Sequence, residues 1–478
     1  MRIVHVASEM YPLIKTGGLA DVVGALATTL AARDHEVSVY LPAYRPLLDA
    51  LPAGLVARAG RQVVRLGSAD LVADLYRLTT EAGVTIHLIG RDEYFDRSQL
   101  YWNGERDYDD NDARFIFFAK AVIEHLRGQD GPADVVHAHD WQAGLVPVLL
   151  RHAEQRSGVH LARRTVFTVH NLIYQGLFPR ASFALTNLHE SLNAMDGIEF
   201  YGRISTLKAG LMYADTVTTV SPTYAREIAT PEHGAGLEGV IRLRNGAVRG
   251  IRNGIDARIW NPAADPLIPA QFGPADLSGK IACRRHLCSR FGWPADFVGP
   301  IFVIVSRLTE AKGHGLLQQV LARFARTPGR LVVTGTGDAA LAGSYRGFAA
   351  THGGFMAFVE GYDEALSHEL IAGADFFLMP SLTEPCGLTQ MYAQNYGTIP
   401  VASRVGGLVD TIVDLDERPA DGTGLLGTPD AKGLWRGIER AHRLFNDAPH
   451  LADVQQRGMR RDFSWDSVVG EYESLYRE

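Results

Sequence analysis

Residues 301–313 read IFVIVSRLTEAKG. Five apolar residues run without alternation into Ser306-Arg307, and Lys312-Gly313 follows five residues later. A strand apolar on both faces is covered on both sides, which is the condition of a parallel strand between helical layers. Residues 316–325 then take up a helical period, and the cadence continues with strands over 330–334, 357–360, 376–380 and 400–403. Helices are expected over 364–372, 388–396 and about 434–445. The same pattern precedes this stretch. Strands are expected over 3–7, 36–41, 85–89, 134–138, 165–169 and 216–221, with helices over 19–32, 111–127, 141–154 and 204–213. Parallel strands need long return connections, so strand–helix alternation implies an α/β chain with helical crossovers. Between the halves, residues 261–279 (NPAADPLIPAQFGPADLSG) carry four prolines and no period, which marks a linkage or irregular excursion. Two doubly wound, parallel-sheet domains of roughly 250 and 200 residues are expected. In such sheets ligands bind beyond the carboxyl ends of the strands.

Composition narrows the class. The chain has 478 residues, 46% hydrophobic and 21% charged, with a formal charge of −7. These values exclude a disordered, collagen-like or coiled-coil chain, and the acidic balance argues against nucleic acid as a partner. Cys283, Cys288 and Cys386 are too few for a disulfide framework and are wrongly spaced for a C-x-x-C pair. With no signal-peptide pattern and no apolar run of membrane-spanning length, the expected location is cytoplasmic, without a membrane partner.

Several segments that close a strand carry polar residues. Lys15-Thr16-Gly17-Gly18-Leu19-Ala20-Asp21 follows the first strand and opens a helix, where two glycines let a ligand approach the backbone and free N–H groups favour an anion. It matches neither the Walker A nor the G-x-G-x-x-G pattern, and the alternative is a glycine turn with a solvated lysine. His137-Ala138-His139-Asp140-Trp141 ends another strand. A metal set of His137, His139 and Asp140 in the H-x-H-x-D-H manner would want Asp and His where Trp141 and Gln142 stand, so Asp140 reads as a helix cap or a ligand contact. His170 closes the strand before Asn171 and, taken alone, reads as a core histidine. Asn253-Gly254-Ile255-Asp256 is a turn signature. Arg307 and Lys312, flanking a loop that ends in glycine, are what a diphosphate would need. Glu384-Pro385-Cys386-Gly387-Leu388-Thr389 places a carboxylate in a confined loop before a helix, where it supplies a ligand or merely complements the helix dipole.

Six of these segments appear together in order: SEMYPLIKTGGLADVVGALA (8–27), HAHDWQAGL (137–145), TVHNLIYQG (168–176), NGID (253–256), SRLTEAKG (306–313) and EPCGLTQMYAQNYGTIPVASRVGGLVDT (384–411). The set resembles bacterial glycogen synthases and the related starch synthases. The resemblance implies a GT-B fold, two Rossmann-like domains facing across a cleft. It assigns residues 1–255 to the glucan acceptor and 256–460 to the nucleotide sugar, with 461–478 forming a terminal helix that crosses back to the first domain. The implied activity is transfer of glucose from ADP-glucose to the non-reducing end of an α-1,4-glucan with retention of configuration, without cofactor or metal.

Residue by residue, the resemblance gives catalytic roles to Glu384, His170, Arg307, Lys312 and Asp140. Donor contacts fall to Lys15, Gly17, Gly18, Asp21, Asn253, Arg307, Lys312, Tyr362, Cys386, Gly387, Leu388 and Thr389, and acceptor contacts to Glu9, Tyr94, Phe95 and Asn171. Departures from the family pattern are Gly315, where K-G-x-D-L-L would place Asp, and Phe95, where a Tyr is usual. Tyr392 stands where the wider retaining GT-B group has a second Glu, as is common in glycogen and starch synthases. Alternatives are a retaining GT-B enzyme using UDP-glucose or a small acceptor, a GT-B-shaped carbohydrate-binding protein without catalysis, and a metallohydrolase built on His137, His139 and Asp140. The sequence gives no oligomeric state.

Overall fold

Strand β1 (Arg2–Val6) is hydrogen-bonded on both sides by parallel neighbours, β2 (Glu36–Pro42) and β6 (Ala133–His139). This makes it the centre of the first sheet in a computed structural model that describes residues 1–52, 54–244 and 248–478. The chain divides into two compact units, Met1–Ile251 with Val468–Glu478, and Arg252–Ser467.

The first unit contains a nine-stranded sheet. Its other strands are β3 (Ala57–Leu66), β4 (Ala69–Thr79), β5 (Thr85–Gly90), β7 (Ala162–Val169), β11 (Thr216–Thr219) and β12 (Val248–Gly250), and the order is β12-β11-β7-β6-β1-β2-β5-β4-β3. Seven strands are parallel, as the apolar runs predict, but β3 and β4 add an antiparallel hairpin at one edge. That hairpin was not expected. Its strands alternate exposed charge with half-buried residues, as an antiparallel edge facing water allows. Three short strands, β8 (Leu177–Pro179), β9 (Glu199–Phe200) and β10 (Arg203–Ser205), form a separate small sheet. The helix Asn111–Arg127 buries Phe115, Ile116, Phe117 and Phe118 in succession, so it is covered on nearly every side.

The second unit holds a six-stranded, wholly parallel sheet in the order β15-β14-β13-β16-β17-β18, from β13 (Ile301–Val305), β14 (Arg330–Gly335), β15 (Met356–Glu360), β16 (Phe376–Met379), β17 (Ile399–Ser403) and β18 (Leu425–Gly427). All five residues of β13 are buried. The proline-rich linkage gives way at Ser278 to a helix, Ser278–Arg290, that the sequence reading leaves out, as it does Ala339–Thr351 and Ala448–Met459. Tyr392 belongs to the core of this unit. Its ring stacks on Trp260 at 3.9 Å, and His368 stacks on the same indole at 3.8 Å.

Each sheet reverses its strand order at its middle, β1 between β2 and β6 in one, β13 between β14 and β16 in the other. Crevices beyond the carboxyl ends of strands open at such points. Glu9 and Asp140 lie just past β1 and β6. Arg307 and Glu384 lie just past β13 and β16.

The final helix, Val469–Arg477, buries Val469, Tyr472, Leu475 and Tyr476 within the first unit. Among the described residues no helix is long and apolar enough to cross a membrane.

Candidate active site

In the second unit the loop after β13 is fixed from both ends. Gly313 sits at φ +73°, and a Cβ there would lie 1.8 Å from the carbonyl oxygen of Pro380, so only glycine lets the two loops touch. The Leu382 N–H donates to the Ala311 carbonyl at 2.8 Å. His314 is buried. Its Nδ1 meets the Tyr345 hydroxyl at 2.9 Å and its Nε2 lies 3.1 Å from both Ser306 Oγ and the Arg307 carbonyl. His314 thus ties the first turn of the helix His314–Phe324 to the residue beside Arg307, which is itself exposed.

Glu384 is buried and faces Lys312. Lys312 Nζ donates to both carboxylate oxygens, and Ser381 Oγ donates to Oε2 at 3.0 Å. The loop that follows is held through main chain and one amide. The Gly407 N–H donates to the Glu384 carbonyl at 3.0 Å, and Gln390 Nε2 donates to the carbonyls of Cys386 and Gly387 and to Thr411 Oγ1 at 3.0–3.1 Å. Gly387 takes φ +71°. Leu388 and Thr389 are half-buried at the start of the helix Thr389–Asn395. The Cys386 thiol is enclosed, and burial pushes its pKa up to about 12, which disfavours the thiolate. Asn253 is buried, and among the described residues its side-chain oxygen has no partner. Tyr362, beyond β15, is 59% exposed.

In the first unit Glu9 is consumed by its own protein. Its carboxylate accepts from the Thr16 and Gly17 N–H groups, from Thr16 Oγ1 at 2.7 Å and from the Tyr101 hydroxyl at 2.5 Å. It therefore anchors the Gly17–Gly18 turn and does not reach outward. Lys15 pairs with Asp21 at 2.8 Å on the open side of that turn. Tyr94 and Phe95 are the expected acceptor contacts of the neighbouring helix. Both rings are buried; Phe95 packs edge-on to Tyr44 and lies beside the buried Arg114, so the site loses no hydroxyl from its surface there.

Asp140 and His170 are brought together. Asp140 takes φ +54°, and its Oδ1 accepts the His170 N–H at 2.6 Å and, more distantly, the Asn171 N–H at 3.4 Å. It does not cap its own helix, whose capping position is His139. Burial raises the Asp140 carboxyl to about 7 against the two N–H groups that lower it. His170 Nε2 shares a hydrogen bond with His139 Nδ1 at 3.0 Å, and burial depresses its pKa to about 3, so the ring is neutral. Asn171 is half-buried, with Oδ1 accepting the Ile173 N–H.

The nitrogens of His5, His137 and His139 lie within 4.8 Å of one another, the one cluster of metal-ligand type among the described residues. Both ring nitrogens of His137 are engaged, by the Tyr476 hydroxyl at 2.7 Å and Thr168 Oγ1 at 2.6 Å. His5 and His139 also bond to each other, which leaves no convergent set of lone pairs. Sequence reasoning missed His5, Thr16, Tyr101 and Ser381. Their partners lie 134, 7, 92 and 3 residues away, and of the four only Thr16 sits in a conspicuous segment.

Comparison with known proteins places these geometries. Residues 2–243 match the family model "Starch synthase catalytic domain", and residues 299–443 match "Glycosyl transferases group 1". The chain is 51% identical to a glycogen synthase of Opitutus terrae, with all of both chains covered. It is 40% identical to glycogen synthase 2 of Geobacter metallireducens, over all of this chain and 98% of that one. Among solved structures, the catalytic domain of starch synthase IV from Arabidopsis thaliana, bound to ADP and acarbose, superposes with a TM-score of 0.91 at 32% identity, covering 100% of this chain and 98% of that one. A sucrose-phosphate synthase from Thermosynechococcus elongatus shares the fold at a TM-score of 0.62 and 20% identity, over 99% of this chain and 98% of that one.

Proposed function

The chain belongs to the glycogen and starch synthase family of glycosyltransferases, and from that premise we propose that it transfers glucose from ADP-glucose to the non-reducing end of an α-1,4-glucan with retention of configuration. The observation that carries the proposal is the grouping past β13 and β16. Arg307, Lys312 and Glu384 stand at the point of strand-order reversal, on two loops locked together through Gly313 and Pro380.

In this reading the second unit holds the donor nucleotide. Arg307 and Lys312 take the diphosphate, and they stabilise the charge that grows on departing ADP. Charge-assisted hydrogen bonds contribute about 1.5–3 kcal/mol each, so two that strengthen in the transition state supply on the order of 10²–10⁴ in rate. Glu384 holds glucosyl hydroxyls and favours the positive charge developing at the anomeric carbon, with Cys386, Gly387, Leu388 and Thr389 as the backbone of that loop. Tyr362 and Asn253 serve the nucleoside side. In the first unit His170 and Asp140 present an imidazole and a carboxylate to the transferred sugar. Lys15 with the Gly17–Gly18 turn approaches donor phosphate, and Asp21 holds Lys15 until then. Glu9, Tyr94, Phe95 and Asn171 serve the acceptor side, with Asn171 the most open of the four.

Retention requires attack on the face from which ADP leaves. The resemblance to retaining GT-B enzymes makes the leaving phosphate the group that takes the proton of the acceptor hydroxyl. No side-chain nucleophile and no metal is called for.

The test is nucleotide release from ADP-glucose, with UDP-glucose in parallel, with and without glycogen and with EDTA. Primer-dependent ADP release that survives EDTA is expected. Release from UDP-glucose alone would change the donor and keep the chemistry. No release from either would overturn the proposal.

A further inference from the structure

Three imidazoles from three neighbouring parts of the first sheet form a continuous hydrogen-bonded row. His5 lies in β1, His139 ends β6 and His170 follows β7 directly. His5 Nδ1 meets His139 Nε2 at 3.0 Å, and His139 Nδ1 meets His170 Nε2 at 3.0 Å. Of the three, His170 is the one that keeps any solvent contact, at 9% exposure, while His5 and His139 are wholly buried. At the inner end His5 Nε2 is buried and has no partner among the described residues. At the outer end His170 Nδ1 makes no hydrogen bond to any described residue.

We propose that His5 and His139 are positioning residues that lock His170 in the Nδ1–H tautomer, so that it presents an N–H donor to the sugar; the role at the sugar rests on the activity proposed above. Each nitrogen-to-nitrogen bond needs one N–H and one bare nitrogen, and a neutral imidazole carries a single N–H. Both bonds must therefore run in the same direction. If they run inward, every ring carries its proton on Nε2, and His5 ends the row with an N–H donor that no described acceptor meets, the costlier of the two ends to bury. If they run outward, every ring is protonated on Nδ1. His5 then buries only a bare nitrogen, and His170 offers its N–H to whatever occupies the site. Burial depresses the pKa of all three rings, so none supplies the second proton that would break this logic. Asp140, bound to the main-chain N–H of His170, fixes the position of the same residue from the other side without touching the ring.

The tautomers can be read directly from nitrogen spectra of protein labelled at histidine, with the His170 resonances identified by their loss in His170→Asn. The row predicts Nδ1–H at His170, and loss of that fixed tautomer in His5→Leu, which fills the space without a donor. His5→Asn keeps a side-chain N–H near the place of Nδ1 and should restore it. Kinetically, His5→Leu should lower kcat about ten- to a hundredfold with KM for the donor changed less than about threefold, and His5→Asn should recover most of the loss. Nε2–H at His170 in the unaltered enzyme, or a His170 tautomer indifferent to His5→Leu, would overturn the proposal. So would full kcat in His5→Leu. Because the His170 tautomer is read from the spectrum without turnover, it tests the row even if the proposed activity is absent.

Discussion

Lys312 Nζ lies 2.8 and 2.6 Å from the two carboxylate oxygens of Glu384, so the cation proposed for the donor phosphate is already neutralised within the protein. A diphosphate must compete for that charge. Replacing Glu384 by Gln removes the competitor while keeping the shape. Glu384→Gln should therefore bind ADP at least as tightly as the wild type, by up to about tenfold or about 1.4 kcal/mol, yet lose about 10² or more in kcat. Lys312→Ala should do the reverse to affinity and also lower stability by on the order of 2–3 kcal/mol, because it strands a buried carboxylate whose remaining side-chain partner is Ser381. Calorimetric titration with ADP beside steady-state kinetics separates the two. Weaker ADP binding by Glu384→Gln would mean that the pair does not restrain Lys312.

Asp140 gives a pH dependence with a definite sign. Its carboxyl is raised to about 7 by burial, against about 3.9 in the unfolded chain. Between those values the native state holds a proton that the unfolded state lacks, so this group's contribution to stability falls as pH rises through the window and is least favourable above about 7. Asparagine keeps the acceptor for the His170 N–H and tolerates φ +54°. Asp140→Asn should therefore be little changed in stability near pH 4 and gain up to about 3 kcal/mol at pH 8, measured by denaturant unfolding at both. If the ionised form serves the sugar, kcat/KM of the wild type should rise through pH 7 and that rise should vanish in the variant. A gain that is equal at the two pH values would remove burial of charge as its cause.

The parts of the molecule that the sequence discloses are those whose cause is local. The five apolar residues of β13 announce a covered strand, and a chain leaving such a strand must place Arg307 at its carboxyl end. The same reasoning brings Asp140, His170 and Glu384 into view. The edge hairpin of β3 and β4 escapes it, since ARAGRQVVRL pairs its few apolar residues with charges that are indifferent to helix or strand. The tie that holds Glu9 is hidden for another reason. Its four hydrogen bonds come from Thr16, Gly17 and Tyr101, and the last is 92 residues distant. The histidine row left a faint trace, because His137 and His139 are two apart on β6 and so share a face, and His5 pairs with His137 in register.

Gly313 and Gly315 stand two residues apart and should respond to alanine in opposite ways. At Gly313 the backbone is left-handed and a Cβ would strike the Pro380 carbonyl, so Gly313→Ala must part the two loops that carry Lys312 and Glu384. A loss of about 3 kcal/mol or more is expected, together with a large fall in kcat. At Gly315, in the first turn of His314–Phe324, a Cβ would meet nothing within 4 Å. Gly315→Ala should stabilise by about 0.5–1 kcal/mol, and Gly315→Asp by a comparable amount with help from the helix dipole. Thermal unfolding of the three variants decides the matter. A neutral Gly313→Ala would show that the loops adjust freely.

The terminal helix offers two contacts of unequal weight. Arg249 and Glu478 form a two-pronged ion pair, but each side chain is nearly half exposed, at 49% and 45%. Water and salt screen such a pair, so Arg249→Ala should cost only about 0–1 kcal/mol. The Tyr476 hydroxyl, by contrast, meets His137 Nδ1 at 2.7 Å in a region sealed from solvent. Tyr476→Phe leaves the ring packing intact and strands that nitrogen, a loss of about 1–3 kcal/mol. Because His137 stacks on His139 at 4.1 Å, the change also removes a restraint from the neighbour of His170. Urea unfolding should thus rank the single buried hydroxyl above the exposed double ion pair, and raising the salt concentration should shrink only the effect of Arg249→Ala. The opposite ranking would place the anchoring of this helix at its exposed end and free the histidine row from any dependence on it.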